Sequence, residues 1–327
     1  MSRPHRIDVH AHYLAPAYRQ ALEAAEMWLI GGIPAPQWTP ELALEFMDAH
    51  GIAVQMLSVS DPGVEFLDGE RARALARECN DYAAGLVQEH RGRFGAFAVL
   101  AMASMPDALA ETRRALDELG LDGVGLLSSC GGRYLGDPAF AELLVELDGR
   151  GAWVMVHPAA VGAEHRPELS VPDFIAEYPF DTTRAFISLL VNGVFEKHPN
   201  IRWQFAHGGG TVPMLRARLS AASAAAKELG PALGLPAGSS LLDAGSAARA
   251  LAGSFYDTAL IADPPALAAV RGVAGPGHVL FGSDWPFAGR MYAPSGDPQP
   301  ALGELFDGPE LRLVEREGAL AQFARLG

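Results

Sequence analysis

The sequence predicts an α/β chain folded as a (β/α)₈ TIM barrel, and three observations carry that prediction. Short apolar or β-branched runs recur eight times, each is followed by a stretch of helical period, and several of the runs end in a histidine or an aspartate. The alternation implies parallel strands joined by crossover helices. Eight units suit a closed barrel better than an open doubly wound sheet, which more often has about five to seven strands.

The expected strands are Arg6–His12, Val54–Ser60, Phe94–Met102, Gly123–Ser129, Trp153–Pro158, Arg202–His207, Ser254–Leu260 and Val279–Asp284. Between the first and second lies an unusually long stretch, Tyr13 to Trp38, which as a βα insertion would overhang the barrel mouth. Thr39-Pro40 then places a side-chain acceptor before a proline suited to a first helical turn, and Asp137-Pro138 and Asp263-Pro264 do the same ahead of the helices that follow strands 4 and 7. A second long insertion, Ala159 to Phe180, follows strand 5 and would form a lid or substrate wall beside the first. A third stretch, Leu229 to Ala248, follows a helix; its Ala, Gly, Ser and Pro content marks a mobile connector.

At 327 residues the chain could hold two average domains, but a barrel with insertions uses this length for one, so a single domain over residues 1–327 is expected. With 49% hydrophobic and 20% charged residues, the chain can bury a large core and is not disordered as a whole. A formal net charge of −14 disfavours nucleic acid and anionic membrane as partners, which leaves a small molecule. No apolar stretch resembles a signal peptide or a membrane span, and the two cysteines, Cys79 and Cys130, do not make a disulfide framework. A reducing cytoplasm is therefore the expected home. Cys130 lies in Ser128-Ser129-Cys130-Gly131-Gly132, and no motif supports it as a catalytic thiol.

The strongest chemical signal is Asp8-Val9-His10-Ala11-His12 at the end of strand 1. Side chains alternate along a strand, so His10 and His12 share a face and can chelate one metal ion while Val9 and Ala11 point away. His157 closes strand 5, His207 closes strand 6 and Asp284 closes strand 8. In a barrel these ends converge on one mouth, where such enzymes place their active sites.

These residues, in context, resemble the amidohydrolase superfamily, and within it the aminocarboxymuconate-semialdehyde and salicylate-type decarboxylases. The matching motifs are Ile7-Asp8-Val9-His10-Ala11-His12, Val156-His157-Pro158, Gly193-Val194-Phe195-Glu196-Lys197 with His198-Pro199, Phe205-Ala206-His207-Gly208-Gly209-Gly210, and Gly282-Ser283-Asp284-Trp285-Pro286-Phe287. The resemblance implies that His10, His12, His157 and Asp284 bind a metal, that His207 is an acid/base residue beside it, and that the protein is a homodimer or higher homo-oligomer. Many relatives bridge two metals with a lysine at the end of strand 4. Strand 4 here ends in Ser128-Ser129, and the chain's two lysines, Lys197 and Lys227, lie at no expected strand end, so one divalent ion is expected. Three imidazoles and a carboxylate favour Zn²⁺ and allow Mn²⁺, with no organic cofactor.

Such a site can activate water for hydrolysis of a lactone, ester or amide, or grip the carboxylate and hydroxyl of a salicylate for decarboxylation. The resemblance favours decarboxylation of a small ortho-hydroxyaromatic acid such as 6-methylsalicylate, with a proton delivered by His207 or Asp284. Aminocarboxymuconate-semialdehyde enzymes hold a dicarboxylate with an arginine in the segment after strand 1, but no Arg or Lys occurs between Arg19 and Arg71. Arg218 matches the second family arginine, which reaches the neighbouring subunit's site. The apolar stretch Trp28 to Trp38 suits an alkyl-bearing aromatic ring, which makes Trp28, Trp38, Trp285 and Phe287 candidate ring contacts.

Overall fold

The structure is a computed structural model that describes residues 5–160, 167, 169–229, 232, 234, 235, 239, 243, 245–292 and 296–326. Eight parallel strands follow one another in chain order around a barrel: β1 (Arg6–His12), β2 (Ile52–Ser58), β3 (Phe94–Val99), β4 (Gly123–Leu127), β5 (Trp153–His157), β6 (Arg202–Phe205), β7 (Phe255–Asp257) and β8 (Val279–Leu280). β8 returns to β1 through Val9 N donating to Phe281 O at 2.9 Å and a parallel bridge between Ala11 and Trp285. All eight expected runs are strands. The ladder of β8 stops four residues short of Asp284 because the amides of Ser283 and Asp284 both turn onto one acceptor, His10 O, at 3.2 and 2.7 Å. Asp284 accordingly takes φ 55°, a left-handed conformation uncommon outside glycine.

The N-terminal end of the barrel is plugged with aromatic rings. Trp153 at the start of β5 packs against Phe255 of β7 at 4.7 Å and against Phe323 of the C-terminal segment at 4.8 Å. Rings of this size bury about 150–250 Å² each and leave no path through that end, so the opposite end, where the strands finish, is the open one.

Helices α1 (Pro16–Ala24) and α2 (Pro40–Ala49) follow β1; α3 (Gly69–Glu89), α4 (Met105–Arg113) and α5 (Ala141–Arg150) follow the next three strands. Then come α6 (Glu177–Val191), α7 (Val194–Lys197), α8 (Val212–Leu229), α9 (Ser246–Gly253) and α10 (Pro264–Arg271). Thr39 Oγ1 accepts from Leu42 N at 3.2 Å and Asp137 Oδ1 from Ala139 N at 2.8 Å, as the caps predict. Asp263 stands at the start of α10, but its side chain makes no cap hydrogen bond.

The first long insertion carries α1 and a two-stranded hairpin, Leu29–Ile30 with Ile33–Pro34. It meets the insertion after β5 where Phe174 N donates to Gly31 O at 3.4 Å. The expected connector Leu229 to Ala248 lies mostly outside the described residues. Among the described residues no helix is long and apolar enough to cross a membrane.

Candidate metal centre

At the open end, the side chains of His10, His12, His157 and Asp284 come together, all buried, with one ligand atom from each lying within 4.8 Å of the others. His10 Nε2 is 3.1 Å from His12 Nε2 and 3.5 Å from Asp284 Oδ1, and His12 Nε2 is 3.0 Å from the same oxygen. What faces the other side of each ring decides what these distances mean. His157 Nδ1 lies 2.9 Å from the carbonyl of Pro158, His12 Nδ1 lies 3.0 Å from Ser58 Oγ and 3.3 Å from Ser58 O, and His10 Nδ1 lies 3.0 Å from the Asp257 carboxylate. Carbonyls and carboxylates only accept, so each Nδ1 carries the proton and each Nε2 presents a lone pair. The 3.1 Å approach of two such lone pairs is then not a hydrogen bond. It matches the edge of about 3.3 Å between ligands held at 2.0–2.1 Å around a tetrahedral ion.

The electrostatics point the same way. Burial pushes His157 well below the ordinary imidazole range, and His12 below it too, so both are neutral as ligands must be. Burial alone would also depress His10, but the carboxylates of Asp257 and Asp284 outweigh it and raise His10 above the ordinary imidazole range, so that without a cation at the centre a proton is drawn to it. Burial would raise Asp284, yet the imidazoles of His10, His12 and His207 hold it well below the usual carboxylate range. The cluster demands positive charge at its centre, and a divalent cation meets that demand. A metal site of the histidine and aspartate kind is present.

Two buried carboxylates that the sequence did not single out for roles hold this arrangement. Asp257, at the end of β7, accepts from Gln204 Nε2 at 3.0 Å and from the amides of His207 at 3.0 Å and Ala259 at 3.2 Å, besides facing His10. Asp8 accepts from the amides of His10 at 3.2 Å and Ser283 at 3.0 Å, from Ser283 Oγ at 2.6 Å and from Gln55 Nε2 at 3.0 Å, tying β1, β2 and the Asp284 turn together. The available signal was physical: an aspartate inside an apolar strand is costly unless something donates to it.

His207 stands beside the cluster with its ring centroid 5.0 Å from that of His10 and Nε2 3.5 Å from Asp284 Oδ2. That Nε2 is buried without a hydrogen-bond partner. Like Asp284, His207 takes a positive φ, 54°, and Gly208 to Gly210 continue at positive φ, so the chain turns sharply off β6, with the buried His207 lining the cavity at the mouth.

Above the cluster is a cavity of about 350 Å³ whose walls include Ile30, Gly31 and Ile33 of the hairpin, Phe174 and Tyr178, Leu260, Phe287 and Met291, with His157, His207, Asp284 and Ser60 as its other polar residues. Of the five expected substrate contacts, Phe287 lines it, 5.4 Å from the His12 ring. Trp28 is 62% exposed and Trp38 only 5% exposed, packed between Tyr13 and Tyr82 in the core. Trp285 stacks on Phe46 at 5.3 Å, and Arg218 is exposed on α8. The Trp28 to Trp38 stretch does wall the site, but strand alternation in the hairpin turns Leu29 outward and brings Ile30 in.

On the other side of His157, a second cavity of about 470 Å³ lies between the ends of β2 to β5 and includes Cys130 and Glu65. Burial, with the Glu65 carboxylate, pushes the Cys130 thiol up to about 12, which is no setting for a nucleophile. Lys197 Nζ donates to Asn192 O at 2.8 Å from α7, and the side chain of Lys227 lies outside the described residues.

Residues 7–318 match the amidohydrolase family. The chain is 38% identical to the 6-methylsalicylic acid decarboxylase acuB of Aspergillus aculeatus, over 87% of this chain and 85% of that protein. It is 35% identical to the decarboxylase macB of Penicillium terrestre, over 97% and 98% of the two chains. A solved crystal structure of an amidohydrolase II, 28% identical, superposes with a TM-score of 0.86 and covers 97% of this chain and 99% of that one. The chain belongs to the amidohydrolase family. Within it the protein is an enzyme, placed with the carboxy-lyases built on this fold.

Proposed function

We propose that the protein is a metal-dependent, non-oxidative decarboxylase of a monocarboxylic ortho-hydroxyaromatic acid bearing an apolar substituent, with 6-methylsalicylate as the first compound to test. The observation that carries this reading is the composition of the cavity. Its floor is a cluster that calls for one cation, its walls are aliphatic and aromatic, and among the described residues lining it there is no lysine or arginine. A single carboxylate finds its partner at the floor; a second would be buried without one, at a cost of several kcal/mol on the order of a lost charge pair.

His10, His12, His157 and Asp284 would hold the ion, with zinc or manganese suited to the donor set and zinc preferred. When bound, it supplies charge that polarises an adjacent carboxylate and phenolic hydroxyl. The chain does the rest. Phe287, Ile30 and Ile33 take the ring and exclude water, and burial of a ring methyl adds about 0.8 kcal/mol, so substituted salicylates should be preferred modestly to salicylate itself. His207 Nε2, buried and unpartnered, holds the proton that replaces the carboxyl group on the ring carbon as the carbon–carbon bond breaks and CO₂ leaves. Such general acid catalysis is worth about 10²–10⁴-fold. Asp257 fixes both His10 and the backbone of His207, so one carboxylate sets the distance between ligand and proton donor.

With this reading we propose a homodimer or higher oligomer in which exposed Arg218 reaches the neighbouring subunit's cavity; a monomer in sedimentation, or unchanged substrate affinity in Arg218→Ala, would remove that role. The activity is tested by following CO₂ and phenolic product from metal-loaded protein with 6-methylsalicylate, 2,6-dihydroxybenzoate, 2,3-dihydroxybenzoate and aminocarboxymuconate semialdehyde. Release from the aromatic acids is expected. Preference for the acyclic dicarboxylate, or hydrolysis of lactones with no decarboxylation, would overturn the proposal.

A further inference from the structure

One polar side chain in the cavity wall has already committed its proton elsewhere. Tyr178 Oη donates to Asp61 Oδ2 at 2.9 Å, and Asp61 Oδ1 accepts from Ala160 N at 3.2 Å. Asp61 is buried, and burial first, with the nearby Asp173 and Asp181 carboxylates, disfavours its ionised form, which the hydrogen bonds from Tyr178 and Ala160 oppose. The phenol oxygen sits between Asp61 and the hairpin turn at Gly31. A Cβ on Gly31 would lie 2.6 Å from that oxygen, and φ +57° at this residue likewise calls for glycine, so the turn is shaped to pass close over the hydroxyl. Gly31, Tyr178 and Ser60, the neighbour of Asp61, all line the cavity.

A tyrosine whose proton is held by a carboxylate has only lone pairs left to offer. We propose that Tyr178 is a specificity-determining residue that accepts a hydrogen bond from a hydroxyl on the ring of the bound aromatic ligand, and that Asp61 is a positioning residue that keeps the tyrosine proton out of the cavity. The site then favours a ring hydroxyl on the edge facing Tyr178 and rejects an ether or a carboxylate there, because two acceptors would face each other in a dry wall. The inference rests on the reading of the cavity as an aromatic-ring site, but not on any turnover.

The geometry at Asp61 supplies a control that a merely structural role would not pass. In Asp61→Asn, the amide must keep its oxygen toward Ala160 N and so turn its NH₂ toward Tyr178 Oη. The tyrosine then accepts from Asn and points its own proton into the cavity, reversing the preference.

The test uses calorimetric binding of three ligands without a carboxyl group, 3-methylphenol, 5-methylresorcinol and 3-methoxy-5-methylphenol, to the metal-loaded protein. The wild type should bind the resorcinol on the order of tenfold more tightly than its methyl ether. Tyr178→Phe should bring that ratio to within about twofold, and Asp61→Asn should invert it. A full wild-type ratio in folded, metal-loaded Tyr178→Phe or Asp61→Asn overturns the proposal, as does failure of the wild type to bind any of the three. Because none of these ligands can lose CO₂, a failure of the decarboxylase reading would show in the acid panel and not here.

Discussion

Replacing Asp257 by asparagine exchanges one oxygen for an NH₂ group and should cost the site its metal. Four groups converge on this carboxylate: Gln204 Nε2 donates to Oδ2 at 3.0 Å, the amides of His207 and Ala259 donate to Oδ1 at 3.0 and 3.2 Å, and His10 Nδ1 faces Oδ2 at 3.0 Å. An asparagine amide turned either way sets its NH₂ against two of them. With Nδ2 toward His10, the imidazole must accept at Nδ1 and carry its proton on Nε2, the atom that faces the metal position. With Nδ2 toward the amides, two backbone donors lose their acceptor and the His207 turn is released. Loss of a carboxylate that supports a metal-binding histidine typically weakens binding about 10–100-fold, or roughly 1.4–2.7 kcal/mol, and a wrong tautomer places this variant at the upper end. The assay is competition for zinc against a chromophoric chelator, with circular dichroism to establish that the barrel is intact. Wild-type affinity in a folded Asp257→Asn protein would refute the assignment of His10 Nε2 as a ligand.

The other predictions concern the cluster, the proton donor and a buried acid. Purified protein should carry one divalent ion per chain by elemental analysis, and His10→Ala or His157→Ala should remove it; two tightly held ions would defeat the single-ion assignment. His207→Ala should keep the ion and lose about 10²–10⁴-fold in turnover, whereas a metal-free variant would make His207 a ligand. Burial lifts the Asp61 carboxyl to about 6, so between about pH 4 and pH 6 the folded protein holds a proton that the unfolded chain has released. That contribution to stability is present below the unfolded value and is lost as the pH rises through the folded one. Asp61→Asn should therefore gain about 2–3 kcal/mol relative to wild type between pH 4 and pH 7 in denaturant unfolding, and a difference independent of pH would show that the acid is not perturbed.

The parts of the fold legible in the sequence were those with a strong period. Eight apolar runs became eight strands, and His10 and His12 share a face because side chains alternate along β1. Strand ends were less legible. Nothing local to Phe281-Gly282-Ser283-Asp284 announces that two amides will turn onto the carbonyl of His10, a contact made across the barrel seam. The same limit hid the partners of the histidines. Asp257 belongs to a strand of only three residues, and its four partners come from β1, β6 and the turns beyond β6 and β7. The places of Trp28 and Trp38 were hidden for a different reason. Composition located the hairpin as a wall, but which of its residues point inward depends on a register set by Gly31 and Gly32. That register sends Ile30 and Ile33 to the cavity, while Trp28 is exposed and Trp38 is packed on Tyr13.

The most direct measurement follows the proton that replaces the carboxyl group. Metal-loaded protein given 6-methylsalicylate in D₂O should release one CO₂ per acid consumed and yield 3-methylphenol with one deuterium on the carbon that carried the carboxyl, and chelation of the metal should stop both. Recovery of the acid unchanged, by protein that hydrolyses a lactone or ester under the same conditions, would contradict the assignment of this site to decarboxylation.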